Sequence, residues 1–334
     1  MNRVLVIRFS SLGDIILTSP VIEGLKKVYP GVHIDYLVHR RFGSIVKRFA
    51  TLPDNIIEFS EGLAVTDLPQ YVRDLSPDGY DLVIDLHDSL RSKIIRKLVD
   101  CSELRIYRKP HFNRWLLFKL HINRFPNDFS VAGSYLEFAG LKGHNIDPKP
   151  KMYVTEAIVD TVTKKYGLQN PYTVCIPGAA WPQKSWPVEK YIELFGNRTA
   201  DQRRVVLVGG AEDSICDQIA GNLEHSRVLN LRGQSDLDEA LAIIAGSAGA
   251  IGADTGLMHA AEALGKRVVL ILGPTSKETG AGVHLENSVQ HENMLWCRPC
   301  SQNGKRPCYR KQQYCMTKTS TAAVSGSLGK LELD

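Results

Sequence analysis

Gly252-Ala253-Asp254-Thr255-Gly256 separates a short apolar run, residues 248–251, from a helix-like segment, residues 257–264. A strand that stops at glycine and opens straight into a helix leaves backbone N–H groups unpaired, and such a helix start suits an anion, phosphate above all. Thr255, His259 and Glu262 recur at i, i+4 and i+7, so one face of an otherwise Ala/Leu helix is polar. The same strand-loop-helix plan opens the chain, around residues 10–14. Two such sites imply two nucleotide-binding-like halves with a cleft between them.

Outward from that stretch, apolar runs end at glycine repeatedly: 172–176 at Pro177-Gly178, 204–208 at Gly209-Gly210, and 268–272 at Gly273-Pro274. A helix over 188–195 is entered through Pro187. Strands that end this way place open loops along one sheet edge, where ligands bind in α/β architectures. The first half alternates likewise. Residues 3–8, 33–38 and 81–85 read as strands, 104–107 as a shorter one. Residues 15–28 read as helix, broken at Ser19-Pro20 with Ser19 as N-cap and Pro20 at N1. The pattern is that of a parallel, doubly wound α/β sheet, met twice. Residues 143–171, with Asp147-Pro148-Lys149-Pro150, read as a linker holding one helical stretch. The expected division is a domain over 1–160 and another over 161–334, in keeping with 334 residues and about 150 residues per domain.

A hydrophobic share of 43% with 23% charged residues is ordinary for a globular protein, and the net charge of +5 is modest. Its distribution says more. Residues 91–119 carry nine Lys/Arg against Asp100 and Glu103, and residues 298–318 carry six with no acid. Trp115-Leu116-Leu117-Phe118 sits between Arg114 and Lys119. Basic residues around aromatics fit an anionic lipid surface, a phosphorylated glycolipid or nucleic acid, or else a solvated helix with its core face. No run reaches the 18 or so apolar residues of a membrane span, and the opening is too short for a signal peptide, so a cytoplasmic chain is expected. Seven cysteines there do not suggest a disulfide framework. Cys297 and Cys300 have zinc-knuckle spacing, but Cys308 and Cys315 form no matching knuckle, leaving free thiols or a structural metal.

Several residues at these loops carry chemistry. Asp14, after Ser10-Ser11-Leu12-Gly13, is placed to act as a general base or to cap a helix, and Gly13 admits close approach. His87 and Asp88 are its rivals. Lys184, in Trp181-Pro182-Gln183-Lys184-Ser185-Trp186-Pro187, fits a diphosphate or a surface lysine packed on tryptophan. Glu212 fits ribose hydroxyls or a helix cap beside Asp213. Asp254 would repel phosphate, so it reads as ordering its loop through backbone N–H groups, with Thr255 and Gly256 facing the anion. His259 is a further donor or a hydrogen-bonded helix histidine. No G-x-G-x-x-G follows the first strand and no Walker motif occurs, which weakens dehydrogenase and ATPase readings.

Four stretches in this order resemble glycosyltransferase family 9, which contains the ADP-heptose–lipopolysaccharide heptosyltransferases: residues 4–15 (Val-Leu-Val-Ile-Arg-Phe-Ser-Ser-Leu-Gly-Asp-Ile), Lys184-Ser185-Trp186-Pro187, Gly209-Gly210-Ala211-Glu212, and Asp254-Thr255-Gly256-Leu257-Met258-His259. The resemblance spans the chain, including the Cys-rich segment and a tail expected to be helix-poor. It implies the GT-B fold, two Rossmann-like domains facing across a cleft. It implies Asp14 as the base on the acceptor hydroxyl, Lys184 at the donor diphosphate and Glu212 at the ribose. Thr255, Gly256 and His259 then meet phosphate. No metal or cofactor is required. Leu86-His87-Asp88-Ser89 departs from the Gln-Gly of the best-known members. Ser10, Ser11, Gly13, His87, Arg91 and Lys93 are the expected acceptor side, with Arg96 and Lys97 adding positive charge.

The expected activity is inverting transfer of heptose from ADP-heptose to a lipid A-core acceptor, at the inner face of the cytoplasmic membrane. Contact with the anionic membrane is peripheral, and nucleic acid is not a partner. The rivals are a sugar-nucleotide epimerase or hydrolase on the same fold, which would convert donor without acceptor, and a non-catalytic nucleotide- or glycolipid-binding module, indifferent to loss of Asp14.

Overall fold

The computed structural model describes residues 1–60, 62, 67, 70–71, 74, 78–168, 171–198 and 203–332; positions 169–170 of the expected linker lie outside them. The chain forms two compact units, Met1–Pro110 with Phe129–Tyr153, and His111–Asp128 with Val154–Asp334. Segment 111–128 thus belongs with the second unit, although it lies in the first half of the sequence.

In the first unit, strands β1 (Arg3–Ile7), β2 (His33–His39), β3 (Asn55–Phe59), β4 (Tyr80–Asp85) and β5 (Cys101–Ile106) form a sheet in the order β3-β2-β1-β4-β5, every pair parallel. Val4 to Ile7 have no exposed surface, as an unbroken Val/Leu/Ile run requires when helices cover both faces. The order reverses direction between β1 and β4, so the loops after these two strands diverge at their carboxyl ends and leave a crevice. Arg8 to Asp14 and His87-Asp88 occupy those two loops. Helix Leu12–Ile16 follows β1 directly, and helix Ser19–Val28 starts anew at Thr18, one residue earlier than the expected Ser19 cap.

The second unit repeats the plan with β6 (Tyr172–Ile176), β7 (Arg204–Leu207), β8 (Val228–Asn230), β9 (Gly249–Ala253), β10 (Val268–Leu272) and β11 (Val289–Glu292), ordered β11-β10-β9-β6-β7-β8 and again parallel. Here the reversal falls between β9 and β6. The loops after them carry Asp254 and Lys184.

The tail differs from expectation. Residues 321–332 form a helix, Thr321–Glu332, despite three serine/threonine and two glycine positions. Val324, Leu328 and Leu331 recur at i, i+4 and i+7 and are 5% exposed or less, packed into the second core with Trp186, Tyr191 and Phe195. Burial of that one stripe outweighs the weak helix propensity of the rest.

Candidate active site

In the first unit Arg8 is the organising residue. It follows β1 directly and is buried (2% exposed). Its guanidinium donates to Leu86 O and pairs with Asp14 Oδ2 at 2.7 Å, and it lies 5.7 Å from the Tyr135 ring centroid. Ser11 adds its hydroxyl to the same carboxylate oxygen at 2.7 Å and its N–H at 3.3 Å. Asp14, the third residue of helix Leu12–Ile16, therefore does both things its position allows, accepting the N–H of the N-cap residue Ser11 while keeping a side chain that is 32% open to solvent. Burial works to raise its pKa, but Arg8 and Ser11 outweigh it and hold the carboxyl below the usual range. The group is an oriented, permanently ionised carboxylate at physiological pH.

His87 approaches the same place from β4. Asp85 Oδ1 accepts the N–H groups of His87 and Asp88, both at 2.9 Å, which folds the chain back sharply and leaves Asp88 at φ +49°. The His87 ring meets Phe9 in a tilted contact at 5.1 Å, and Phe9 stacks on Phe59 at 5.1 Å. Burial, then the Arg8 and Lys109 cations, pull His87 down to about 4. It is neutral at pH 7 and a poor base, so of the rivals for that role Asp14 has the better chemistry. Of the cations expected at the acceptor side, Arg91 lies over Phe59 (5.6 Å) and Lys93 is 3.8 Å from Asp88. Arg96 departs from expectation: it is consumed by Asp85 and Asp88, neutralising the one fully buried carboxylate of the turn.

In the second unit Lys184 ends a 3-10 turn, Pro182–Lys184, between Trp181 and the buried Trp186. Its ammonium lies 2.6 Å from Asp254 Oδ2 and donates to Asp254 O at 2.7 Å. Thr275 donates to Asp254 Oδ2 at 2.9 Å, and His259 Nε2 is 3.5 Å from Oδ1. The sequence reading of Asp254 needs correction here: its carboxylate is satisfied by side chains, not by the backbone N–H groups of its own loop. Asp254 is 4% exposed, and burial would raise its pKa, but Lys184 and His259 pull it well below the ordinary range. The negative charge that seemed misplaced beside a phosphate site is thus cancelled before an anion arrives.

Helix Gly256–Ala263 begins beside this pair with Thr255 as N-cap. Thr255 Oγ1 and Ser276 Oγ are both buried and have no hydrogen-bond partner among the described residues. Buried donors without partners cost about 1–3 kcal/mol each, so two at one sheet edge mark a place built to meet an acceptor. Ser276 escaped the sequence reading; its signal was the Thr275-Ser276 pair just past the Gly273-Pro274 strand stop. Glu262, on the expected polar face, serves structure instead, accepting the N–H groups of His284 (2.9 Å) and Leu285 (3.0 Å).

On the next loop of the same edge, Asp213 accepts the Gly210 N–H at 2.8 Å and fills the space beside Gly178, where a Cβ would lie 2.2 Å from its Oδ1. Asp213 therefore ties down its own loop, while Glu212 is exposed, its carboxylate without a partner among the described residues.

The cysteine segment braces this edge. All seven cysteines are free thiols, and no group of three or more His, Cys, Asp or Glu among the described residues is arranged to hold a metal ion. Burial, with the neighbouring thiols, pushes Cys300 up to about 11. Arg298 donates to Gly273 O (2.5 Å) and Thr275 O (3.2 Å), and the Cys300 and Ser301 N–H groups donate to Pro274 O. Gly304, at φ +83°, lies on the Lys184 stem, where a Cβ would be 2.6 Å from Lys184 Cγ.

Two Rossmann-like units, one presenting an ionised carboxylate at its switch point and the other a lysine, a helix start and unpaired hydroxyls at its own, define a GT-B glycosyltransferase. The chain belongs to glycosyltransferase family 9 (heptosyltransferase), whose family model matches residues 70–310. It is 25% identical to lipopolysaccharide heptosyltransferase 1 of Pseudomonas aeruginosa, over 98% of this chain and 97% of that one. Among solved structures it is similar to the Escherichia coli ADP-heptose lps heptosyltransferase II, with a TM-score of 0.79, 22% identity, and coverage of 100% of this chain and 99% of the other. It is also similar to an E. coli heptosyltransferase solved with ADP, with a TM-score of 0.71, 21% identity, and coverage of 98% and 99%.

Proposed function

We propose that this heptosyltransferase moves heptose from ADP-heptose to the inner core of lipopolysaccharide, with inversion at the anomeric carbon. The observation that carries the reading is the Lys184–Asp254 pair set beside the start of helix Gly256–Ala263, with Thr255 Oγ1 unpaired between them in sequence. That arrangement supplies a fixed cation, backbone N–H groups and a hydroxyl to a leaving diphosphate. The names of the relatives, which are lipopolysaccharide heptosyltransferases, support the same substrates.

In this reading the domain over 1–160 serves the acceptor and that over 161–334 the donor. The acceptor hydroxyl attacks the anomeric carbon as the bond to the diphosphate oxygen breaks, and its proton passes to Asp14. A carboxylate held so far below neutral accepts that proton late, once the hydroxyl oxygen is bonding to carbon and has become acidic. Lys184, Thr255, His259 and the Gly256 N–H take up the charge developing on ADP. Glu212 receives the ribose hydroxyls, and Asp254 fixes Lys184. Ser10, Ser11, Gly13, His87, Arg91 and Lys93 line the acceptor side. The scheme calls on no cofactor, since the lysine and helix start supply the positive charge.

The acceptor is lipid A-core, met at the cytoplasmic face of the inner membrane by peripheral contact. No helix among the described residues is long and apolar enough to cross a membrane. The test is ADP release from ADP-heptose with a panel of core acceptors. Release that depends on acceptor and yields the inverted linkage supports the reading. Donor turnover without acceptor, or none with any acceptor, overturns it.

A further inference from the structure

Segment 111–128 is tied to the second unit by polar contacts around one residue. Arg114 donates to Glu278 O (3.5 Å) and Asn123 to Glu278 Oε1 (2.8 Å), while Lys277 donates to Asn127 O (2.9 Å). Leu116 and Leu117 are buried by this docking. Phe112 and Trp115 are not: they are 64% and 52% exposed, with rings stacked 6.3 Å apart.

A second exposed cluster meets the same segment at His121. His121, just past the helical stretch, meets the Trp296 ring at 6.5 Å, and Trp296 meets Tyr309 at 6.3 Å. Trp296 is 70% exposed and Met294 89%. Cations sit over these rings, Arg310 at 5.7 Å from Trp296 and Arg306 at 5.8 Å from Tyr309. Residues 104–127 and 293–331 contain no Asp or Glu, so nothing in either stretch offsets that charge.

Exposed apolar clusters tied to one segment in this way mark an interaction surface. Indole and phenol rings beside arginines, with aliphatic tips between them, have the composition of an interfacial lipid anchor. Single-stranded nucleic acid would use the rings and cations, but it gains nothing from Met294, Leu120 and Ile122, which hydrocarbon accommodates. We propose that this face of the second unit, built from segment 111–124 and segment 294–310, is the seat of the protein on an anionic lipid surface. The proposal rests on the peripheral-membrane reading above and assigns the contact to named residues of the second unit.

The test is sedimentation of the full chain with vesicles of phosphatidylglycerol and phosphatidylethanolamine, against vesicles of phosphatidylcholine alone. The parent should bind the anionic vesicles preferentially and release them at about 0.5 M salt, where charges beyond a few ångströms are screened. The pairs M294S/W296S and R306Q/K311Q, all at exposed positions, should each weaken binding about tenfold or more. Their melting and their transfer to a delipidated core oligosaccharide should match the parent. F112S/W115S provides an independent pair on the other cluster. Unchanged vesicle binding in these variants, equal binding to phosphatidylcholine, or loss of oligonucleotide binding in place of vesicle binding overturns the assignment. Failure of the parent to transfer to the soluble acceptor would instead sink the proposed activity and leave the vesicle result readable.

Discussion

Lys184 and Asp254 meet twice, ammonium to carboxylate at 2.6 Å and ammonium to the main-chain carbonyl at 2.7 Å, so one residue fixes the lysine from both ends. The pair bridges the loops after β6 and β9, across the switch point of the second sheet. Both side chains are largely buried, at 17% and 6% exposure. Removing one partner of such a pair strands the other charge, at a cost of about 3–5 kcal/mol. Lys184→Met should therefore lower the melting temperature and cut transfer by about 10²–10³. K184M/D254N should recover most of the melting temperature and none of the activity. Calorimetry and ADP release read the two effects separately. A single variant that melts like the parent would show that the pair is not structurally coupled.

Asp14→Asn should reduce transfer by about 10²–10⁴, the usual range for loss of a general base, while donor affinity measured by titration stays within twofold or so. A large loss of donor binding would instead assign Asp14 to the other substrate.

Arg8→Met tests how the Asp14 carboxyl is tuned. Arg8 lowers the Asp14 pKa, so its removal should move the acid limb of the pH–rate profile upward. The stability consequence has a definite sign. A depressed carboxyl pKa contributes stability above the unfolded value of 3.8, and that contribution is lost as pH falls through the folded value. The variant should lose this part of its acid-induced destabilisation.

His87 acts in the same direction in a higher window, here because its neutral form is the one favoured by folding. Its folded pKa of about 4 lies below the unfolded 6.5, so the unfolded chain binds more protons between these values. Stability from this group falls as pH drops from 6.5 toward 4. His87→Phe, which keeps a ring against Phe9, should narrow the difference in melting temperature between pH 7 and pH 4.5. An unaltered difference would mean the imidazole titrates normally.

Thr255→Val should separate binding from folding. Its hydroxyl is buried and unpaired, so replacing it leaves melting unchanged or raises it, while donor affinity falls about tenfold for one lost hydrogen bond to a charged group. A fall in melting temperature would show that the hydroxyl has a protein partner.

How far the sequence could be read follows from where each residue's partners lie. β1, β4 and β10 stood out as continuous Val/Leu/Ile runs of covered strands, and β6 and β9 as short apolar runs stopped by glycine. β3, β8 and β11 did not: each lies at a sheet edge, is five residues or fewer, and mixes polar residues into the run. The motif residues Asp14, Lys184, Asp254 and Thr255 were legible because they follow strand stops. Their supports were not. Arg8 looks like the end of a strand, and Thr275 and Arg298 have no local pattern, since each acts on a residue distant in sequence. The docking of segment 111–128 on Glu278 was hidden for the same reason.

Gly304 rests on the methylenes of Lys184 in a segment that, by composition, looks like a dispensable surface loop. A single methyl group there would press on the Lys184 stem and shove the ammonium off its mark, although Gly304 itself handles no substrate. Resistance to an inhibitor, or a silent loss of outer-envelope sugar, could therefore arise from changes that a map of catalytic motifs would pass over.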